Sequence, residues 1–340
     1  MHMNRARRGT VSARPVVPGL AAVCVLTLSA CSSLSGPTVQ EGPWEPDDNI
    51  QMIIHADAGG SSDLMGRQIA DILSSQDIVE QPVAPENRPG GSGAVAYTYL
   101  LGQEGNGHVI ATLSSSYLTT AVQGKADYTY ENFTNLAVLA TDGLMITVSA
   151  DSPYASLDDL VAAAREDPGQ IDFGGTQLGG ADSIVRHLLE EETGAELNYV
   201  SFDGGGEANA ALLGGNVDVI AANPAEVQGL LESGRMRGLA VTTPERLEGL
   251  DVPTALEEGV ELEFTQARGI VAPPGLTEGQ RDFWGGAISE AARTQEWKDY
   301  LADNLLLEEV HVGTEAQSYV EAEWNKYAEV MDALGLREEG

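Results

Sequence analysis

The sequence predicts an α/β protein of two lobes with a central cleft, and three observations carry that prediction. Short apolar strands alternate with amphipathic helices along most of the chain, the pattern of layered sheets with mainly parallel strands. The 340 residues leave about 300 after a leader-like N-terminus, enough for two ordinary domains. Aperiodic stretches near 149–154 and 266–274 read as crossings, by which the chain leaves one lobe, builds the second and returns. Paired crossings of this kind make a hinge. The expected bounds are 49–149 plus 267–340 for lobe 1 and 150–266 for lobe 2.

At the N-terminus, Arg5, Arg7, Arg8 and Arg14 stand without an acid, followed by an apolar run from Leu20 to Leu28 and then Ser29-Ala30-Cys31. Basic, apolar and small-residue segments in that order predict a bacterial export signal over 1–31. The run is shorter than the ~20 residues that a permanent span requires. Leu28-Ser29-Ala30-Cys31 resembles the lipobox of bacterial lipoproteins, which implies that Cys31 is acylated and holds the protein at the outer face of the cytoplasmic membrane. Cys24 would leave with the signal, so the mature body has no thiols to pair. Residues 32–48, rich in Ser, Gly, Pro and acid, read as a flexible tether.

Strands are expected at 50–54, 109–113, 136–140, 144–148, 171–173, 197–202, 217–221 and 238–242, where apolar and β-branched residues cluster. The spacing of Met65, Ile69, Ile72 and Leu73 predicts a helix over 63–74. Ser156 with Asp159 three residues on predicts a capping box and a helix to Arg165. Further helices are expected at 182–192, closed by Gly194, at 208–213, and at 225–233, closed by Gly234. The last third is mostly helical, at 278–294, 296–304 and 316–334. No solenoid-period repeat is present.

The charge balance is 18 Lys+Arg against 52 Asp+Glu, a net −34. Nucleic acid and anionic membrane surfaces are poor partners for such a chain. The acids are scattered instead of gathered at one motif, which points to adaptation to high salt, where the Debye length shrinks to ~3 Å at 1 M; a cationic ligand is the alternative.

Three Gly-rich loops join a strand to a helix: His55-Ala56-Asp57-Ala58-Gly59-Gly60-Ser61-Ser62-Asp63, then Phe173-Gly174-Gly175-Thr176-Gln177-Leu178-Gly179-Gly180-Ala181-Asp182-Ser183, then Phe202-Asp203-Gly204-Gly205-Gly206-Glu207. Helix starts present unpaired N–H groups and the positive dipole end, so a loop without bulky side chains lets a carboxylate reach those amides directly. One such loop is an ordinary tight turn; three in one chain point to a cleft lined by amides. A fourth segment, Glu86-Asn87-Arg88-Pro89-Gly90-Gly91-Ser92-Gly93-Ala94, contains Gly91-x-Gly93-x-x-Ala96, but it follows Pro89 instead of a strand, which argues against a dinucleotide site. No G-x-S-x-G elbow occurs, and His55, His108, His187 and His311 form no metal-binding spacing. The chain reads as a binding protein and not an enzyme, without cofactor or metal.

With the strand-then-Gly59-Gly60-x-x-Asp63 loop, Glu86-Asn87-Arg88-Pro89-Gly90-x-x-Gly93, Gly204-Gly205-Gly206-Glu207-Ala208, Leu212-Leu213-Gly214-Gly215-x-Val217-Asp218 and Ala272-Pro273-x-Gly275-Leu276-Thr277, in that order, the chain resembles the substrate-binding proteins of the tripartite tricarboxylate transporters, the Bordetella uptake gene family. The resemblance implies a type II-like periplasmic-binding-protein fold, a small organic acid as ligand, and a permease of one large and one small membrane subunit. It implies a carboxylate held by backbone amides and ordered waters. The expected contacts are Ala58, Gly59, Gly60, Ser61, Ser62, Asp63 and Ser115 from lobe 1, and Thr176, Gly179, Ala181, Asp182, Asp203, Gly204 and Gly205 from lobe 2. A monomer is expected. The family usually carries Pro and an aromatic where this chain has His55 and Ala56, and a Lys or Arg where it has Asp203, so a ligand-covering ring is missing and one positive charge is reversed. A sensor domain feeding a kinase and a secreted hydrolase are the alternative roles.

Overall fold

The computed structural model describes residues 43–337 except 177 and 203; the expected signal, Cys31 and most of the expected tether lie outside them. The strands form two sheets. The first has six strands in the order β11-β4-β10-β3-β1-β2 and the second five, β7-β6-β8-β5-β9. In chain order the first sheet takes β1 (Ile50–Ile54), β2 (Val83–Asn87), β3 (Val109–Leu113), β4 (Thr134–Gly143), and later β10 (Thr265–Ala272) and β11 (Leu307–Val312). The second takes β5 (Met145–Ser149), β6 (Asp172–Gly175), β7 (Asn198–Ser201), β8 (Val219–Ala222) and β9 (Met236–Val241).

The helices are α1 (Ser61–Ser75), α2 (Ala94–Leu101), α3 (Ser115–Val122), α4 (Leu157–Glu166), α5 (Ala181–Thr193), α6 (Gly205–Leu213), α7 (Pro224–Glu232), α8 (Glu278–Ala291), α9 (Gln295–Asp303) and α10 (Thr314–Ala333). Met65, Ile69, Ile72 and Leu73 of α1 are all buried, as the periodicity predicts. They join a core with Trp284 and Trp297 from α8 and α9 on one face of the first sheet. The capping box of α4 forms, with Asp159 N–H donating to Ser156 Oγ at 3.1 Å and Ser156 N–H to Asp159 Oδ2 at 3.2 Å. Gly194 closes α5 in the left-handed conformation at φ 64°.

Several expectations need correction. The sheets are mixed: four strand pairings are parallel and five antiparallel. The antiparallel pairs all involve β4, β5, β10 or β11, the strands that carry the chain across and back. The first crossing between sheets falls at Leu144, the single residue between β4 and β5, instead of at 149–154. Most of the 266–274 stretch is strand β10, which runs to Ala272 and whose Thr-Gln-Ala-Arg start hides its period. Edge strands β2 and β11 escaped the pattern because one holds Pro85 and the other has the adjacent acids Glu308 and Glu309 near its start. Helices α2 and α3 lack a strong polar face, being apolar nearly all round or rich in Thr and Ser. The Gly91 segment does follow a strand, β2, but a turn of 3-10 helix at Gly91–Gly93 intervenes before α2. The expected tether is anchored earlier than 48: Trp44 packs edge-on to His108 and Phe283, and Asp47 N–H donates to His108 Nε2.

The two crossings are stapled together. Leu144 N–H donates to Thr242 Oγ1 at 2.9 Å, Thr242 N–H returns a bond to the Leu144 carbonyl, and Thr242 Oγ1 donates to the Phe264 carbonyl at 2.7 Å. Gly143 packs so closely here that a Cβ would lie 3.0 Å from Thr242 Oγ1.

Candidate functional site

Between the sheets lie two adjoining cavities of about 220 and 200 Å³. Both are lined by Ser61, Asn223, Glu226 and Arg268. The first adds Thr176, Ala181, Asp182, Gly205, Asn209 and Gln266, and the second adds Gly59, Gly60, Leu64 and Tyr300. Larger surface hollows occur beside Trp324 and between α8 and the start of α10, but no Gly-rich helix starts converge on them.

Two loops reach the cavities with the same backbone. Gly59 has φ +86° and Gly179 +84°; the next residues, Gly60 and Gly180, cap α1 and α5 at φ −74°, ψ 164° and φ −75°, ψ 166°. The first residue of each pair sits where only glycine is at ease. In each loop the Gly N–H is held by the side chain four residues on, Gly59 by Asp63 Oδ2 and Gly179 by Ser183 Oγ, both at 2.8 Å. Neither cap uses a side chain, which leaves helix-start amides for a guest. Gly204 caps α6 in the same bare manner.

The expected contacts divide into groups. Gly59, Gly60, Ser61, Thr176, Ala181, Asp182 and Gly205 line the cavities. Asp63 is buried and holds its loop: it accepts from Gly59 N–H, Arg67 Nε and Asn87 Nδ2, each at 2.8 Å. Burial alone would raise its pKa, but those donors outweigh burial and hold it at about 2. Asp182, although it lines the cavity, is likewise engaged by Thr176 N–H, Thr176 Oγ1 and Ser183 N–H; burial nevertheless raises its pKa. Ser62 is turned inward to His55 Nε2 (3.3 Å) and Arg268. Ser115 donates to Gln266 Oε1 at 2.5 Å, one step behind the lining. Ala58, Gly179 and Gly204 are the turns that precede the lining residues. Asp203 lies outside the described residues.

His55, at the end of β1, is buried, with Nδ1 2.9 Å from Thr112 Oγ1 and Nε2 2.8 Å from Ser114 Oγ. Burial, reinforced by the nearby Arg268 charge, lowers its pKa to about 4. It is a neutral post beneath the cradle.

The sequence reading missed the centre of the site. Arg268 on β10 is buried, donates Nε and Nη2 to Asp142 at 3.0 and 2.7 Å, and reaches Ser61 Oγ and Ser62 Oγ with Nη1 at 3.2 and 3.3 Å. Asn223, the cap of α7, adds a bond to Asp142 Oδ2 at 2.8 Å. A single cation inside an apolar strand of so acidic a chain was the available signal, obscured because 266–274 read as a linker. Gly269 next to it allows β10 and β4 to touch, since any Cβ there would run into the Ala137 carbonyl.

Among the described residues no helix is long and apolar enough to cross a membrane, and no group of three His, Cys, Asp or Glu is placed to hold a metal.

Two lobes joined by a double crossing, with bare helix starts facing one cleft, define a solute-binding protein of the periplasmic type. The chain belongs to the tripartite tricarboxylate transporter family receptors, whose model matches residues 65–336. It is similar to the protein BugT of Bordetella pertussis, 31% identical over 219 residues, covering 63% of this chain and 67% of BugT. Among solved structures it is similar to a TctC solute-binding protein from Polaromonas, at 26% identity and TM-score 0.73, covering 85% and 99% of the two chains. It is also similar to Rpa4515 of R. palustris, a structure with adipate, at 25% identity and TM-score 0.75, covering 85% and 98%.

Proposed function

We propose that the protein captures a small organic acid outside the cytoplasmic membrane and delivers it to a tripartite permease of one large and one small membrane subunit. The observation that carries the reading is the pair of matching Gly-Gly turns, Gly59-Gly60 and Gly179-Gly180, that bring the starts of α1 and α5 to one cleft. Main-chain amides at two helix starts supply donors and partial positive charge to a carboxylate without a dedicated arginine. The adipate in the Rpa4515 structure supports an acid as ligand. Acylation at Cys31 would tether the body to the membrane, and the protein would act as a monomer without catalysis. The lobes in this reading comprise residues 43–143 with 265–337, and 145–264.

The test is a thermal-shift screen of di- and tricarboxylates and aromatic acids at low and high salt, followed by calorimetry. A true ligand stabilises the protein by about 2.7 kcal/mol at a hundredfold excess over Kd. Gly60→Val and Gly205→Val should abolish the shift by at least a hundredfold in Kd, because each side chain would stand in the cleft; a Cβ on Gly205 already comes within 3.3 Å of Glu226 Oε2. Arg88→Ala should change Kd by less than about threefold, since Arg88 stacks 3.6 Å over Tyr99 and pairs with Glu86. The opposite ranking would move the site to the Gly90 segment.

A further inference from the structure

Helix α9 ends on a residue poorly suited to its backbone. Among the described residues α1, α3, α6, α7, α9 and α10 share one closure: the residue after the cap is left-handed, its N–H reaches back three residues and the next N–H reaches back five. In α3, α6, α7 and α10 the left-handed residue is glycine (Gly124, Gly215, Gly234 and Gly335), and in α1 it is Asp77. In α9 it is Leu305, at φ 54°, with Leu305 N–H donating to the Ala302 carbonyl at 3.2 Å and Leu306 N–H to the Leu301 carbonyl at 2.9 Å. Glycine adopts this conformation freely and aspartate tolerates it, whereas leucine brings its Cβ against the backbone. The turn itself gives no reason for a leucine.

The side chain supplies one. Helix α9 leads into β11, a strand of the first sheet, yet Leu305 is buried in the apolar cluster of the second lobe, with Met145 of β5, Val227 of α7 and Met236 of β9. The register explains its reach. Leu307 stands opposite Thr141 on β4, three residues before the crossing at Leu144, so the turn that carries Leu305 overhangs the seam between the lobes. Around it Tyr300, Asn304 and Leu306 line the second cavity together with Asn223 of the second lobe. The knob therefore enters the second lobe on the cleft side of the crossings, where its burial favours lobes drawn together.

We infer that, resting on the receptor role proposed above, Leu305 is a positioning residue: an apolar knob of the first lobe whose burial in the second holds the cleft shut and so sets how tightly a guest is kept. It acts through the fraction of molecules whose cleft is closed and not by touching the guest. Were loss of the side chain to leave about one molecule in ten closed, the apparent Kd would rise about tenfold with every cleft contact intact.

The test joins a distance measurement to calorimetry. Full-length chains carry Cys24→Ser and Cys31→Ser, which removes the native thiols, and Asp71→Cys on α1 with Asp158→Cys on α4, exposed positions that take dyes. Single-molecule energy transfer then reports lobe spacing without ligand. Leu305→Gly suits the turn and removes the knob, Leu305→Ala removes the knob and keeps the strain, and Leu305→Met keeps the apolar bulk. Leu301→Ala, on the same helix, empties part of the first lobe's core instead. Succinate, glutarate and adipate are the calorimetric probes. L305G and L305A should both shift molecules to longer distances and raise the Kd of any probe that binds the parent by about tenfold; L305M should behave as the parent. L301A should lower the melting temperature and leave distance and Kd unchanged. Parental distances in L305G, or an equal shift in L301A, overturns the inference and leaves the receptor reading intact. If no probe binds the parent, the receptor reading falls, and the part of Leu305 in affinity falls with it.

Discussion

His55 and Asp63 show how single side chains hold the cradle in shape, and each ties stability to a pH window. The His55 pKa falls from 6.5 to about 4 on folding. Below pH 6.5 the unfolded chain takes up a proton that the folded one refuses, so stability present above 6.5 is lost as pH falls towards 4. The full loss is on the order of 3 kcal/mol. Asp63, at about 2 in the fold, opens an adjoining window: its contribution is intact above its unfolded value and disappears as pH falls through 2. Urea midpoints measured between pH 7 and 4 should fall steeply for the wild type and less steeply for His55→Asn; parallel slopes would remove His55 as the cause. At this scale the sequence was half legible. The glycines announced bare turns, but a sequence does not show whether a carboxylate's lone pairs are already taken, as those of Asp63 and Asp182 are by donors of their own loops.

The strand and helix patterns were readable wherever one face was apolar, as in α1 and α4, and unreadable where burial was complete or an edge was polar. Strand β10 is the instructive case. Its polar start and its glycine suggested a linker, yet Arg268 is buried there only because Asp142 on β4 meets it across the ladder, a pairing between residues 126 apart. Arg268→Met should destabilise the protein by about 3 to 5 kcal/mol, since it strands the Asp142 carboxylate. The double variant Arg268→Met with Asp142→Leu should recover most of that loss. Chemical denaturation of the four-member cycle measures the coupling, and additive losses would show that the pair does not act as a unit.

At the scale of the molecule, the α/β class and the double crossing were legible, while the mixed sheet order was not, because strand direction depends on partners distant in sequence. The net charge of −34 sets the solution behaviour. Raising NaCl from 0.1 to 2 M should lift the melting temperature by several degrees through screening of self-repulsion. A fall in melting temperature with salt would instead mean that the fold leans on its ion pairs more than the acids oppose it.

The staple at Thr242 restricts how the protein can move. One residue separates β4 from β5, and its partner crossing is fastened to it by hydrogen bonds on both sides of Thr242. With so little slack, the halves can rotate about that seam but have no freedom to slide along it. In the receptor role proposed above, a guest of the wrong length would leave the halves ajar about that seam.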